Sequence, residues 1–415
     1  MARIFPFQPY RYSAKAGAPE NLVTQPYDKI SAAMRTRYLS LSPYNLVRIV
    51  LGEKRASDTD RDNVYTRAAA CLNAWMTEGI LELEKAPSLY AYYQRFTIPD
   101  TGQEVERKSF IGLSALEDYS AGVVYRHEQT LSGPKKDRME LLRHTHAHFE
   151  QIFMLYDDPG LTVDQILDDA AASAPDITVK DEYDAIHRLW KISDPAAIAR
   201  IQQLMADKKL LIADGHHRYE TALAFRNQNP DLRDAQNMAM AFVNMRSPGL
   251  EILATHRVLS GLSGFDPTAF LEKIGGRHIE STDELHSMNE LRRIFATAAP
   301  GEIRIGIVTR SGEMGLYQRD RKPGELDVKV LHQELLAGML GISDEAVREE
   351  KYIEYVRGLD AAYSKVREGG AEIAFLLEPT TIEQVADVAF SGGVMPQKST
   401  DFYPKLLSGL TIYRI

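Results

Sequence analysis

Cys71 is the single cysteine in 415 residues. Intramolecular disulfides and zinc sites built on several cysteines are therefore excluded. Long apolar runs are missing too. No stretch approaches the roughly 20 residues that a membrane-spanning helix needs, so no membrane association is expected. The opening residues, MARIFPFQPYRYSAKAG, carry no apolar segment of the secretory type, and a cytoplasmic location is expected. The glycine-rich signatures are absent as well. There is no G-x-x-x-x-G-K-S/T, no G-x-G-x-x-G, no H-E-x-x-H and no G-x-S-x-G. A formal net charge of -9 gives no support for nucleic-acid binding, and none is expected.

What is present describes an ordinary globular protein, 44% hydrophobic and 26% charged. Its length predicts two or three domains. Residues 1–85 begin irregular and then give an amphipathic helix from about Asp62 to Gly79. From 88 to 125 the pattern alternates in three runs that read as antiparallel strands. A helix is expected from about Lys135 to Met154, followed by a break at YDDPG. LLIAD reads as a short buried strand and HHRYETALAFRNQ as the helix after it. NMAMAFVNM and LEILATHRVL read as strands. Beyond about residue 262 helices and strands alternate. Three parts are expected: an N-terminal segment at 1–85 packed on the core, a core at 86–260 and a C-terminal α/β domain at 261–415.

The strand-to-helix passage at Asp214-Gly215-His216-His217-Arg218 is the most informative stretch. A helix start offers unpaired N–H groups and a partial positive charge, which together form an anion site. Gly215 lets a phosphate approach the backbone. Arg218 suits bidentate phosphate contact. His216 and His217 fall in the same turn, and Asp214 is a candidate magnesium ligand.

Three further stretches carry candidates. In "YRHEQTLSGPKKDRMELLRHTHAHFEQIF", Gly133-Pro134 makes a turn, and Lys135, Lys136 and Arg138 then open a helix where cations oppose its dipole. A bound polyphosphate would compensate them. Glu128 is the best general base there. His144 and His148 share a helical face at i, i+4, a weak metal-binding pair without a nearby carboxylate. In "VTQPYDKIS" and "SPYNLVRI", Tyr27, Asp28, Asn45 and Arg48 are candidates for holding a small polar ligand. Near the C-terminus, Lys398, Ser399 and Thr400 lie in a loop that would cradle a phosphate or carboxylate. Each stretch has a plain structural alternative: a solvated helix face, a turn around a buried tyrosine, or a surface connection.

These stretches, in this order, resemble the domain-of-unknown-function family 1015. The resemblance spans nearly the whole chain, through "VTQPYDKIS", "SPYNLVRI", "HEQTLSGPKKDR", "FMLYDDP", "LLIADGHHRYETAL", "VNMRSPGLEILATHR" and "VMPQKSTDFYPKLLSGL". The "ADGHHRY" segment is also similar to ParB/sulfiredoxin-like nucleotide-binding domains, closest to free serine kinases. That resemblance implies an α+β fold with a mixed-sheet nucleotide- or phosphate-binding core, extended by N-terminal and C-terminal α/β elements. It implies that Asp214, His216, His217 and Arg218 form the phosphate and catalytic turn, and that a glutamate activates the acceptor hydroxyl. Glu128 takes that role on its local chemistry. Where sulfiredoxins carry a cysteine this chain has His216, which argues against sulfinic-acid reduction. The expected activity is phosphoryl transfer to or from a small hydroxylated metabolite, serine or phosphoserine first, with ATP or ADP and Mg2+ as companions. A nucleotide-binding regulatory module and a metal-dependent hydrolase are the alternatives, and a homodimer is left open.

Overall fold

The computed structural model describes residues 2–99, 101–128, 130, 132–275, 277–278, 284–297 and 299–415. Gln129 and Leu131 of the "HEQTLSGPKKDR" stretch lie outside the described residues. The chain divides into two units. Unit 1 comprises Met1–Ile98, Gln103–Glu251 and Pro404–Ile415, and unit 2 comprises Pro99–Gly102 and Ile252–Tyr403. These boundaries differ from those expected. Residues 1–85 share a unit with residues 103–251, because Leu22, Leu46 and Trp75 pack in one cluster with Leu141 and Phe149. The last twelve residues, 404–415, return to unit 1.

Unit 1 is built on a mixed sheet, nine-stranded among the described residues. Val124–Tyr125 lies at one edge and pairs in parallel with Leu210–Asp214. Next comes Ile152–Tyr156, antiparallel to Leu210–Asp214 and parallel to Asn237–Asn244. Glu104–Ala115, Leu89–Thr97, Ile186–Ile192 and Ile177–Lys180 complete the order, each antiparallel to its neighbour. Ile4–Phe5 adds to Glu104–Ala115. One large core joins Ile152, Met154, Leu210, Ile212 and Phe242 of the sheet to Val163, Leu167, Ile201 and Met205 of two helices and to Tyr219 and Ala222 of a third. A mixed α+β fold is therefore observed.

Several expectations change. The helix predicted from Lys135 to Met154 runs only over Ser132–Thr145, and Ala147–His148 and Ile152–Tyr156 are strands. His146 takes a left-handed φ of 47°, which ends the helix. IFMLY is buried at every position, and a short run apolar on all sides cannot be told from helix by its period. Gly133 and Pro134 lie inside the helix rather than in a turn before it. Val124–Tyr125 is a two-residue parallel strand, not the third antiparallel one. LEILATHRVL breaks into Glu251–Leu253 and Thr255–Leu259, and the division between units falls in the first piece.

Unit 2 carries a six-stranded antiparallel sheet among the described residues, centred on Glu302–Thr309, Ile373–Leu377 and Thr255–Leu259. Leu291, Ala362 and Val366 of its helices pack on Val258, Val308 and Leu376. No helix among the described residues is long and apolar enough to cross a membrane.

Candidate functional site

Two segments leave the sheet side by side, because Val124–Tyr125 and Leu210–Asp214 are parallel neighbours. Arg126-His127-Glu128 follows the first and Gly215-His216-His217-Arg218 follows the second. Crevices beyond the carboxyl ends of such strands are the usual ligand positions in α/β sheets. The helix His216–Gln228 starts on Gly215, whose φ of 100° favours glycine and which offers no side chain to cap the first N–H groups. A Cβ there would lie 3.1 Å from Arg218 Nη2 and 3.0 Å from Ile152 Cδ1, a tight fit that would need those side chains to give by a few tenths of an ångström.

Asp214 closes the strand between two cations. Lys405 Nζ donates to Oδ1 at 2.9 Å and Arg218 Nη2 donates to Oδ2 at 2.8 Å. Burial alone would raise the Asp214 pKa, but Lys405, Arg218 and Lys29 outweigh it and hold the carboxyl well below the usual range. Arg218 Nη1 also donates to the Gln151 carbonyl at 2.9 Å and sits 3.3 Å from Glu150 Oε2. Glu150 Oε1 accepts from the Tyr27 N–H at 3.0 Å and from Ser408 Oγ at 3.1 Å. The Tyr27 ring in turn lies 4.0 Å from the guanidinium of Arg138. Burial, with Asp28 adding to it, pushes the Tyr27 phenol up to about 12. Asp28 is exposed and acts on Arg218 electrostatically.

On the other side of Gly215, His216 Nδ1 lies 3.9 Å from Glu128 Oε2. His216 is buried and its Nε2 has no hydrogen-bond partner among the described residues. The His127 ring meets it edge-on at 4.7 Å, with His127 Nδ1 2.9 Å from the Ile212 carbonyl. Burial pushes His127 down to about 4 and His216 well below the ordinary histidine value. Both imidazoles are held toward the neutral form, and the Glu128 carboxyl lies beside them.

The structure thus gathers Tyr27, Asp28, Glu128, Arg138, Asp214, Gly215, His216, His217 and Arg218 around one helix start. Others go elsewhere. Lys135 Nζ donates to Glu220 Oε2 at 3.0 Å and to Thr130 Oγ1 at 2.9 Å, and Arg126 also pairs with Glu220. Arg138, beside the Tyr27 ring at the site, is itself paired with Asp137. The compensation assigned to a polyphosphate is therefore supplied by Glu220 and Asp137. Lys136 lines a broad open depression with Lys54 and Arg55. Asn45 is fully buried, donates to the Asn21 carbonyl and accepts from the Val47 N–H. Arg48 donates to the carbonyls of Leu39 and Ser42, closing the C-terminal end of Ala32–Leu41. Both hold backbone rather than a ligand, because unpaired main-chain groups at short helices needed partners.

Lys398, Ser399 and Thr400 belong to unit 2. Ser399 Oγ donates to the Pro396 carbonyl, and Arg257 donates to the carbonyls of Gln397 and Lys398. An anion cradle presents N–H groups, whereas this turn presents carbonyls to a guanidinium. The metal pair also falls away. His144 is helical, with Nδ1 2.8 Å from the Glu140 carbonyl, while His148 is in a strand, stacked on Tyr413. Among the described residues no group of three His, Cys, Asp or Glu side chains is placed to hold a metal ion. Asp214 does not fit a magnesium ion, since both its oxygens already accept from cations.

Sequence reasoning missed Lys405, Glu150 and Glu220. Lys405 sits five positions past Thr400 within a stretch already singled out, and Glu150 was hidden in the helix predicted too long. Replacing Asp214 with Asn should cost about 3 kcal/mol, because it removes the carboxylate charge that Lys405 and Arg218 share. Urea unfolding would measure it. Adding Lys405→Met to Asp214→Asn should restore part of the loss, and additive losses would show that the pair is not coupled.

Likeness to solved structures is remote. Free serine kinase in complex with AMP shares 16% identity at a TM-score of 0.36, over 69% of this chain and 89% of that one. SbnI with C-terminal truncation, from Staphylococcus aureus, shares 11% at 0.37, over 72% and 87%. A conserved hypothetical protein from Pyrococcus furiosus shares 16% at 0.34, over 69% and 92%. No curated protein matches the chain. The long motifs are decisive instead: residues 4–361 match the family described as Protein of unknown function (DUF1015), and the chain belongs to it.

Proposed function

We propose that unit 1 is a phosphoryl-transfer enzyme with a ParB/sulfiredoxin-like nucleotide-binding core, acting on a small hydroxylated metabolite with ATP or ADP as its partner. The observation that carries the reading is the meeting of Glu128 with His216, at 3.9 Å, beside a glycine-started helix whose third residue is Arg218. Phosphoryl transfer asks mainly for positioning and charge neutralisation. The first-turn N–H groups and the Arg218 guanidinium would hold the phosphate oxygens. Glu128 would take the proton from the acceptor hydroxyl as its oxygen bonds to phosphorus and the nucleoside diphosphate leaves. His216, pushed toward the neutral form by burial, would position Glu128 from its Nδ1 side. Asp214 and Lys405 fix the Arg218 side chain from behind, a positioning role. Serine is the first acceptor to try, and phosphoserine the first substrate for the reverse direction.

The test is phosphate release or transfer from phosphoserine by the purified chain with magnesium, with and without ADP. Transfer only with ADP fits a kinase. Release without nucleotide fits a phosphatase using the same turn. Nucleotide binding with no turnover of serine or phosphoserine, or of a panel of other small alcohols and their phosphates, would replace this reading with a regulatory binding module.

A further inference from the structure

The sheet of unit 1 carries a buried polar row on the face turned away from its large core. In Leu89–Thr97, Ala91 and Tyr93 belong to that core, so Tyr92 and Gln94 point the other way. Gln94 stands directly between Arg107 of Glu104–Ala115 and His187 of Ile186–Ile192, and all three are buried. Such a row is unfavourable unless its groups find partners. Many of those partners are main-chain groups of residues 404–407, an irregular stretch whose own backbone has no ladder to join.

Arg107 donates from Nε to Gln94 Oε1 at 3.1 Å and from Nη2 to the Pro404 carbonyl. Gln94 Nε2 donates to the Lys405 carbonyl at 2.9 Å. Tyr92 Oη accepts from the Leu407 N–H at 3.3 Å and lies 2.7 Å from His187 Nδ1, and His187 Nε2 is 3.1 Å from Asp181 Oδ2. The main chain is thus gripped at Pro404, Lys405 and Leu407. From inside that grip the Lys405 side chain reaches Asp214 at 2.9 Å, and Asp214 holds Arg218 at 2.8 Å. Fixing the Lys405 backbone on both sides fixes where its ammonium can lie, and an ammonium on a flexible stem gains most from such fixing.

We propose that Gln94 and Arg107 are positioning residues of the phosphate turn, gripping the Pro404-Lys405 main chain so that Lys405 meets Asp214 and Asp214 orients Arg218. The inference rests on the turn binding phosphate, as read above, and not on which reaction follows. The test is calorimetric titration of the full chain with ADP and with inorganic phosphate, in wild type, Gln94→Met, Arg107→Lys, Lys405→Met and the double variant of Gln94→Met with Lys405→Met. Gln94→Met removes the bond to the Lys405 carbonyl and should weaken ADP binding about tenfold, the share of one buried hydrogen bond. Arg107→Lys keeps the buried charge but reaches fewer acceptors, and should weaken binding in the same direction. In the Lys405→Met background Gln94→Met should change ADP affinity by no more than about twofold, because the grip has no ammonium left to place. A role in the fold alone would lower the urea midpoint and leave that dependence on Lys405 unseen. Two results overturn the proposal. One is wild-type ADP affinity in folded Gln94→Met and Arg107→Lys. The other is a loss in Gln94→Met that persists undiminished beside Lys405→Met. A wild-type chain that binds neither ADP nor inorganic phosphate is a different failure: it removes the phosphate turn first, and this proposal with it.

Discussion

Glu128→Gln should lower phosphoryl turnover by about two to four orders of magnitude while nucleotide affinity changes little, because general-base removal has effects of that size. The substitution keeps size and hydrogen-bonding reach but removes the proton acceptor. Glu128 is about one-quarter exposed, so the change leaves no buried charge stranded and the fold should persist. The partners beside it sharpen the expectation. His127 and His216 are held neutral by burial, and His127 is engaged through Nδ1 at the Ile212 carbonyl. Glu128 is the carboxylate beside them, 3.9 Å from His216 Nδ1. Glu128→Asp should retain more activity than Glu128→Gln, since it keeps the carboxylate and only shortens it. Wild-type turnover in Glu128→Gln would remove the residue from the mechanism. Loss of nucleotide binding together with turnover would instead assign it a structural part at the helix start. Arg218→Ala is the contrasting variant. It should weaken phosphate binding itself, because the guanidinium is the fixed cation of the turn.

Local chemistry was legible in the sequence, and long-range pairing was not. Gly215 marked a helix start where the backbone can be approached, and the structure starts the helix on it, at φ 100° with no side-chain cap. The helix Pro195–Met205 is local chemistry of the same kind, with Asp194 accepting from two first-turn N–H groups and Pro195 in the first turn. The Glu128–His216 approach depends on a parallel pairing of Val124–Tyr125 with Leu210–Asp214, distant segments whose meeting no local pattern encodes. The Lys405–Asp214 pair spans 191 residues and was hidden for the same reason. Asn45 and Arg48 mislead because polar residues near a motif carry the same signature whether they hold a ligand or a backbone carbonyl. The lysines of the "PKK" stretch mislead in a related way. Their cost at a helix start was read correctly, but a carboxylate elsewhere in the chain, Glu220, answers for Lys135.

Acid should unfold unit 1 in a window set by its histidines rather than its carboxylates. Burial pushes His127 and His148 down to about 4 and His216 well below an ordinary histidine. In the unfolded chain each titrates near about 6.5. Between about pH 6.5 and 4 the unfolded chain therefore takes up protons that the folded chain refuses. Stability is complete above that window, falls as pH drops through it and levels off once the folded histidines protonate. A proton taken up only on unfolding is worth about 1.4 kcal/mol per pH unit, so three such sites approach the whole stability of a typical domain. Asp214 loses its contribution only at lower pH, once its unfolded carboxyl begins to protonate near about 3.9. Urea midpoints measured from about pH 7.5 down to about pH 4.5 should fall steadily below about pH 6.5. His148→Phe gives the internal control. Its ring can keep the stack on Tyr413 while losing the titrating nitrogen. That variant should show a pH slope shallower by one proton. A wild-type midpoint that stays flat down to about pH 4.5 would mean the buried histidines protonate inside the fold, and the neutral pair beside Glu128 would have to be given up with them.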